Sequence, residues 1–100
     1  MVKHIMIWTL QDKCFGPNLD SIKAGMKSGL ESLNGRIPGL DHIEVHVDCL
    51  SSSRGDVICE TTLDDEDALK NLKESEEYKQ VTKEVVLPFI DKNIHVEYEC

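Results

Sequence analysis

The sequence predicts an α+β protein, a four-stranded antiparallel sheet with helices on one face and the element order βαββαβ. Three observations carry this. Val2 to Leu10 reads as a strand that is apolar on both sides, and the segments from His42 and from Asn93 alternate with one apolar side each. Stretches beginning at Leu19 and near Asp65 repeat apolar residues at helical spacing. With 100 residues, 40% hydrophobic and 30% charged, the chain is expected to fold as a single domain over residues 1–100, with no linker or repeat.

In the first strand Ile5 and Ile7 point one way while His4, Met6 and Trp8 point the other, and neither set suits water, so the strand belongs in the middle of the sheet. Gly16-Pro17 marks the connection that follows, and Asn18 is the expected N-cap of a helix starting at Leu19. Leu19, Ile22, Met26, Leu30, Leu33 and Ile37 give that helix its buried stripe. Gly25 and Gly29 beside the stripe each cost about 1 kcal/mol relative to Ala, which implies either a close approach to a neighbour or a weak helix. Asn34-Gly35 ends the helix, and Ile37-Pro38-Gly39-Leu40 leads into strand two, where Ile43, Val45 and Val47 oppose His42, Glu44, His46 and Asp48. A polar turn at residues 51–55 makes a hairpin with strand three, Val57 to Leu63. Asp64-Asp65 then caps a short helix carrying Ala68, Leu69 and Leu72, and Ser75 caps a second that runs to Leu87 before Pro88. Strand four alternates Ile94, Val96 and Tyr98 with His95, Glu97 and Glu99.

This order is the split βαβ, ferredoxin-like arrangement, and right-handed crossovers put strands one and three in the centre. Both helical regions are expected on the sheet face carrying Ile5, Ile7, Ile43, Val45, Val47, Ile94, Val96 and Tyr98. By strand parity all four histidines, His4, His42, His46 and His95, then fall on the other face with Met6, Trp8, Glu44 and Glu97. An exposed face holding Met6 and Trp8 calls for a cover, and a second copy supplies one by closing a dimeric α/β barrel. Its cavity is expected to hold a small apolar or aromatic molecule, with His4, Met6, Trp8, Glu44 and His95 as the ligand-binding residues.

Nineteen acidic residues against eleven basic ones give a net charge of −8, which repels nucleic acid and anionic lipid. No apolar run approaches the roughly 20 residues that span a bilayer, and no secretion signal precedes strand one, so a cytoplasmic setting is expected. Cys14, Cys49, Cys59 and Cys100 are accordingly expected as free thiols. No metal or cofactor is expected either. His42 and His46 lie about 13 Å apart on an extended strand, so one ion would need ligands from a neighbouring strand. Phosphate-binding glycine loops, nucleotide fingerprints and nucleophile elbows are also missing from the sequence.

The opening Val2-Lys3-His4-Ile5, Ile37-Pro38-Gly39 before strand two, Leu63-Asp64-Asp65 before Ala68-Leu69, and the closing Leu87-Pro88-Phe89-Ile90-Asp91-Lys92 resemble, in order and spacing, the stress-responsive dimeric α/β-barrel (Dabb) family. The resemblance covers nearly the whole chain and implies a ferredoxin-like protomer and a homodimer. The family includes stress-induced proteins without an assigned reaction and a plant polyketide cyclase whose pocket uses a strand-one histidine together with a tyrosine and a histidine from the second helical region. His4 matches the first. Tyr78, in Ser75-Glu76-Glu77-Tyr78, stands where the cyclase has its second histidine, and Leu72 where it has its tyrosine. A tyrosine titrates near ~10 and is a poor base at neutral pH, which weighs against the cyclase reaction. The expected function is therefore small-molecule binding without an assigned reaction. The alternative is a cofactor-independent enzyme of the cyclase or small monooxygenase type, with His4 as acid or base and Tyr78 as hydrogen-bond donor.

Overall fold

The computed structural model describes residues 1–100 and contains β1 (Val2–Leu10), α1 (Leu19–Glu31), β2 (Leu40–His46), β3 (Val57–Leu63), α2 (Glu66–Glu74), α3 (Glu76–Val85) and β4 (Ile90–Glu99). The strands form one antiparallel sheet in the order β2-β3-β1-β4, so β1 and β3 are central as expected. A short 3₁₀ turn at Asp12–Cys14 breaks the first connection. Strand β4 begins at Ile90, ahead of the expected Asn93, and a bulge between its Leu10↔Ile90 and Trp8↔Asn93 pairings absorbs the extra length.

Two of the three expected caps are made by side chains. Asp65 Oδ1 accepts from Ala68 N at 2.8 Å, and Ser75 Oγ accepts from Tyr78 N at 3.4 Å. Asn18 holds the cap position of α1 but makes no such bond, because its backbone (φ −97°, ψ 3°) departs from the extended conformation that aims a capping side chain at the first turn. The two glycines of α1 separate in role. A Cβ on Gly29 would lie 3.2 Å from Val85 Cγ2, so α3 packs closely there, whereas Gly25 faces open space. Gly39 in Ile37-Pro38-Gly39 is demanded twice, by its φ of +83° and by Ala68 Cβ, 2.6 Å from where its own Cβ would stand.

The faces of the sheet differ from the sequence expectation. Register pairs His4 with Thr61 and Glu97, Met6 with Cys59 and His95, and Ile43 and Val45 with Thr61 and Cys59. Directly paired residues share a face, so the helix side of the sheet carries Val2, His4, Met6, Trp8, Leu10, Ile43, Val45 and Cys59, with His95 and Glu97 of β4 on the same side but exposed. Trp8, 2% exposed, lies in the core with Met26, Leu30, Leu33, Ile43, Leu63 and Leu72. The open face instead carries Ile5, Ile7, Ile58, Ile94, Val96 and Tyr98, together with His42, Glu44, His46 and Glu60. The histidines are thus split two and two. Strand β2 turns its apolar side to the helices and β4 turns its apolar side away, which strand-by-strand alternation cannot reveal.

Helix α1 also closes the outer edge of β2. Asn34, just past the helix, donates to Ile43 O and accepts from Ile43 N, each at 2.9 Å. Glu31 accepts from Val45 N at 2.9 Å, while Lys27 donates to Val45 O at 2.6 Å and to Glu31 at 2.8 Å. These bonds occupy edge groups that would otherwise recruit another strand. The Lys27 ammonium and the Val45 amide hold the Glu31 carboxyl below its usual range. Replacing Asn34 by Ala is expected to cost about 1 kcal/mol and to accelerate hydrogen exchange at the Ile43 amide relative to that of Val57 in β3. Unchanged exchange at Ile43 would show that the clamp does not hold the edge.

Candidate functional site

A histidine in the interior of a sheet needs a partner, because burial without one costs free energy. His4 is only 4% exposed, and it finds that partner across the β1–β4 ladder, where Glu97 is its directly opposed residue. His4 Nδ1 lies 2.9 Å from Glu97 Oε2, and the same oxygen receives Lys73 Nζ at 2.6 Å from the last turn of α2. Three elements therefore converge on one carboxylate. The Lys73 ammonium, with His4 behind it, holds the Glu97 carboxyl below its ordinary value.

An ionised carboxylate only accepts, so Nδ1 carries the proton and donates to Glu97. Burial lowers the His4 pKa below 6.5 and outweighs the raising effect of Glu97. The ring is therefore neutral at pH 7, with its lone pair on Nε2. Nε2 has no hydrogen-bond partner in the chain, and because no fully buried polar side-chain atom is left unpaired it keeps some contact with solvent. Beside the ring is a cleft of about 160 Å³ lined by His4, Met6, Lys73, Tyr78 and His95. The His95 ring stands beside His4 with 6.2 Å between centroids. Burial, reinforced by the nearby Cys59 thiol, pushes the Tyr78 phenol up to about 12, so it remains a protonated donor.

Of the residues expected from the sequence, His4, Met6, His95 and Tyr78 come together here. Two others do not. Trp8 is sealed in the core two positions along β1, and Glu44 lies on the opposite face of β2, across β3 from β1, where it pairs with Glu60. Glu44, His46 and Glu60 do bring possible metal-ligating atoms within 4.8 Å of one another at that exposed corner. Lys73 joins the site only through the docking of α2, which brings a surface lysine to Glu97. Burial pushes the Cys59 thiol to about 12, so it is an inert core group rather than a nucleophile. All four cysteines are unpaired, and no helix is long and apolar enough to cross a membrane.

Three solved structures share this architecture over nearly the full chain. A dimeric protein of unknown function with a ferredoxin-like fold from Bacteroides fragilis is 21% identical, with 99% of this chain and 95% of that one covered and a TM-score of 0.89. A dimeric ferredoxin-like protein from Thermobifida fusca is 15% identical, with 99% and 90% covered and a TM-score of 0.77. A structure described as an antibiotic biosynthesis monooxygenase is 14% identical, with 100% and 98% covered and a TM-score of 0.73. At these identities the likeness concerns the fold. No sequence among curated proteins matches. The family model described as Stress responsive A/B Barrel Domain matches residues 2–100, and the chain belongs to that family, Dabb.

Proposed function

We propose that the protein is a homodimer that binds a small, largely apolar or aromatic molecule at the His4 cleft. The observation that carries the binding site is the buried imidazole, fixed through Nδ1 on Glu97 and left with a free acceptor at Nε2. A ligand that places a hydroxyl at Nε2 and a ring against Met6 and Tyr78 satisfies both the polar atom and the apolar wall. At about 160 Å³ the cleft suits a single ring, comparable with cavities of ~150 Å³ that accept benzene.

The dimer is supported by the open sheet face, where Ile94 is 62% exposed and Val96 and Tyr98 are each 46% exposed, and by the structural neighbours described as dimeric. A second copy laid on this face completes an α/β barrel. The stress-related role rests on the family description, and a cytoplasmic setting on the four unpaired thiols.

A second reading is favoured by the His4–Glu97 pair itself. A neutral imidazole oriented by a carboxylate is the form a general base takes, and the fold is shared with a structure described as an antibiotic biosynthesis monooxygenase. In a cofactor-independent enzyme His4 would take a proton from the substrate and Tyr78 would donate a hydrogen bond. Against this, Tyr78 with a pKa near 12 supplies no second base at neutral pH.

Sedimentation equilibrium at micromolar concentration is expected to give twice the 11.3 kDa chain mass, and Val96→Asp is expected to return it to the chain mass, since burying an unpaired charge costs several kcal/mol. A wild-type monomer would remove the dimer. Titration with p-cresol is expected to show binding that weakens at least tenfold in a folded His4→Phe variant, as the loss of one hydrogen bond to a buried acceptor implies. Tyr78→Phe should change binding by much less. Equal binding by wild type and His4→Phe would place the ligand elsewhere.

A further inference from the structure

A single oxygen, Glu97 Oε2, is claimed by two partners. His4 Nδ1 lies 2.9 Å from it and Lys73 Nζ 2.6 Å from the same atom, so the imidazole and the ammonium share one acceptor. Lys73 is half-exposed and Glu97 partly exposed, whereas the His4 ring is buried. The ring has the least help from water, and its charge state therefore answers to its neighbours.

Those neighbours pull in opposite directions. A carboxylate bonded to a buried imidazole favours a second proton on the ring, because the resulting imidazolium–carboxylate pair is neutral as a whole, and Glu97 acts on His4 in this sense. Lys73 opposes it. Its ammonium already neutralises the carboxylate and repels positive charge on the ring, so a second proton on His4 would set two cations against one anion. The remaining groups around the ring do not replace it. Tyr78 of α3 and Cys59 of β3, which is paired with Met6, both keep their protons, since burial pushes each to about 12. Thr61, opposite His4 on β3, does not titrate. His95 of β4, with 6.2 Å between ring centroids, adds repulsion only when it is itself charged. Lys73 alone among them brings a standing positive charge, and Leu69 and Leu72 anchor α2 in the core just ahead of it.

We propose that Lys73 is the positioning residue of the His4 cleft: by sharing the Glu97 oxygen it keeps the ring in its single-proton form, which makes the cleft selective for neutral hydroxyl donors over carboxylates. A ring with a lone pair on Nε2 accepts from a hydroxyl, whereas an imidazolium would donate to an anion. The ligand preference rests on the binding reading of that cleft, while the state of the ring is a property of the free protein.

Proton NMR of the imidazole Cε1–H of the full chain against pH reads the ring without a ligand, with the His4 signal assigned by its loss in His4→Phe. Lys73→Met and Lys73→Gln, checked for folding by circular dichroism, are each expected to raise the His4 midpoint by roughly half a pH unit or more, a modest shift because the charge removed is half-exposed. Lys73→Arg is expected to restore the wild-type midpoint. The pH at which p-cresol loses its advantage over p-toluate is expected to rise with the ring midpoint in Lys73→Met. Equal midpoints in wild type and both neutral variants would overturn the proposal, as would a rise that Lys73→Arg fails to reverse. A raised ring midpoint with an unmoved p-cresol profile would overturn the ligand preference. Wild type that binds no p-cresol, with the ring midpoint still raised in the neutral variants, would remove the binding reading and the preference with it but uphold the hold of Lys73 on the ring.

Discussion

The structure depends on one constraint: β1 runs through the middle of the sheet and is apolar on both faces, while the chain supplies helices for only one of them. Leu19, Ile22, Met26 and Leu30 of α1, with Ala68, Leu69 and Leu72 of α2, cover Val2, Met6, Trp8 and Leu10. On the other face the β2–β3 loop reaches Ile7 at Gly55, but Ile94, Val96 and Tyr98 stay exposed. Each such side chain gains roughly 1.5–3 kcal/mol on full burial, so the bare face is a standing drive toward association or ligand binding. The edges of the sheet are handled differently from its face, because Lys27, Glu31 and Asn34 occupy the outer hydrogen-bonding groups of β2. Association is thereby directed away from that edge and toward the face.

The same strand holds the polar exception to its own core. His4 occupies a position where its neighbours in register are Thr61 and Glu97 rather than aliphatic residues, and the β4 side facing the helices is polar from Asn93 to Glu99. A buried imidazole there is compatible with folding because Glu97 accepts from Nδ1 and Lys73 in turn neutralises Glu97. The arrangement also fixes the tautomer. A structural role alone would be met by the Nδ1 bond; the unpaired Nε2 beside a cleft is what gives the site a chemical direction.

Much of the fold was legible in the sequence because each element carries its own signal: the two-sided apolar β1, the helical spacing from Leu19, and the Asp65 and Ser75 caps. Parity within β1 and β4 likewise keeps His4, Met6, His95 and Glu97 on one face. The link between strands was not legible. Alternation in β2 and in β4 each marks one apolar side, and the assumption that both sides face the helices fails because the open face is itself apolar. His42, Glu44 and His46 keep their expected place on the face away from the helices, whereas β1 and β4 are reversed, so His4, Met6, His95 and Glu97 part from them and Trp8 passes from a cavity wall into the core. Lys73 leaves no trace in the sequence, since a lysine on the polar side of α2 looks like any solvated residue until the helix is docked beside Glu97.

The central claim is that His4 is a buried, neutral imidazole whose Nδ1–H is committed to Glu97 and whose Nε2 is free. Nitrogen-detected NMR of the imidazole ring as a function of pH tests this most directly, since the two ring nitrogens report protonation separately. The account predicts a protonated Nδ1 and an unprotonated Nε2 at pH 7, with the ring gaining its second proton below the ordinary value of 6.5. A ring protonated on Nε2 at pH 7, or one that titrates above 6.5, would contradict it.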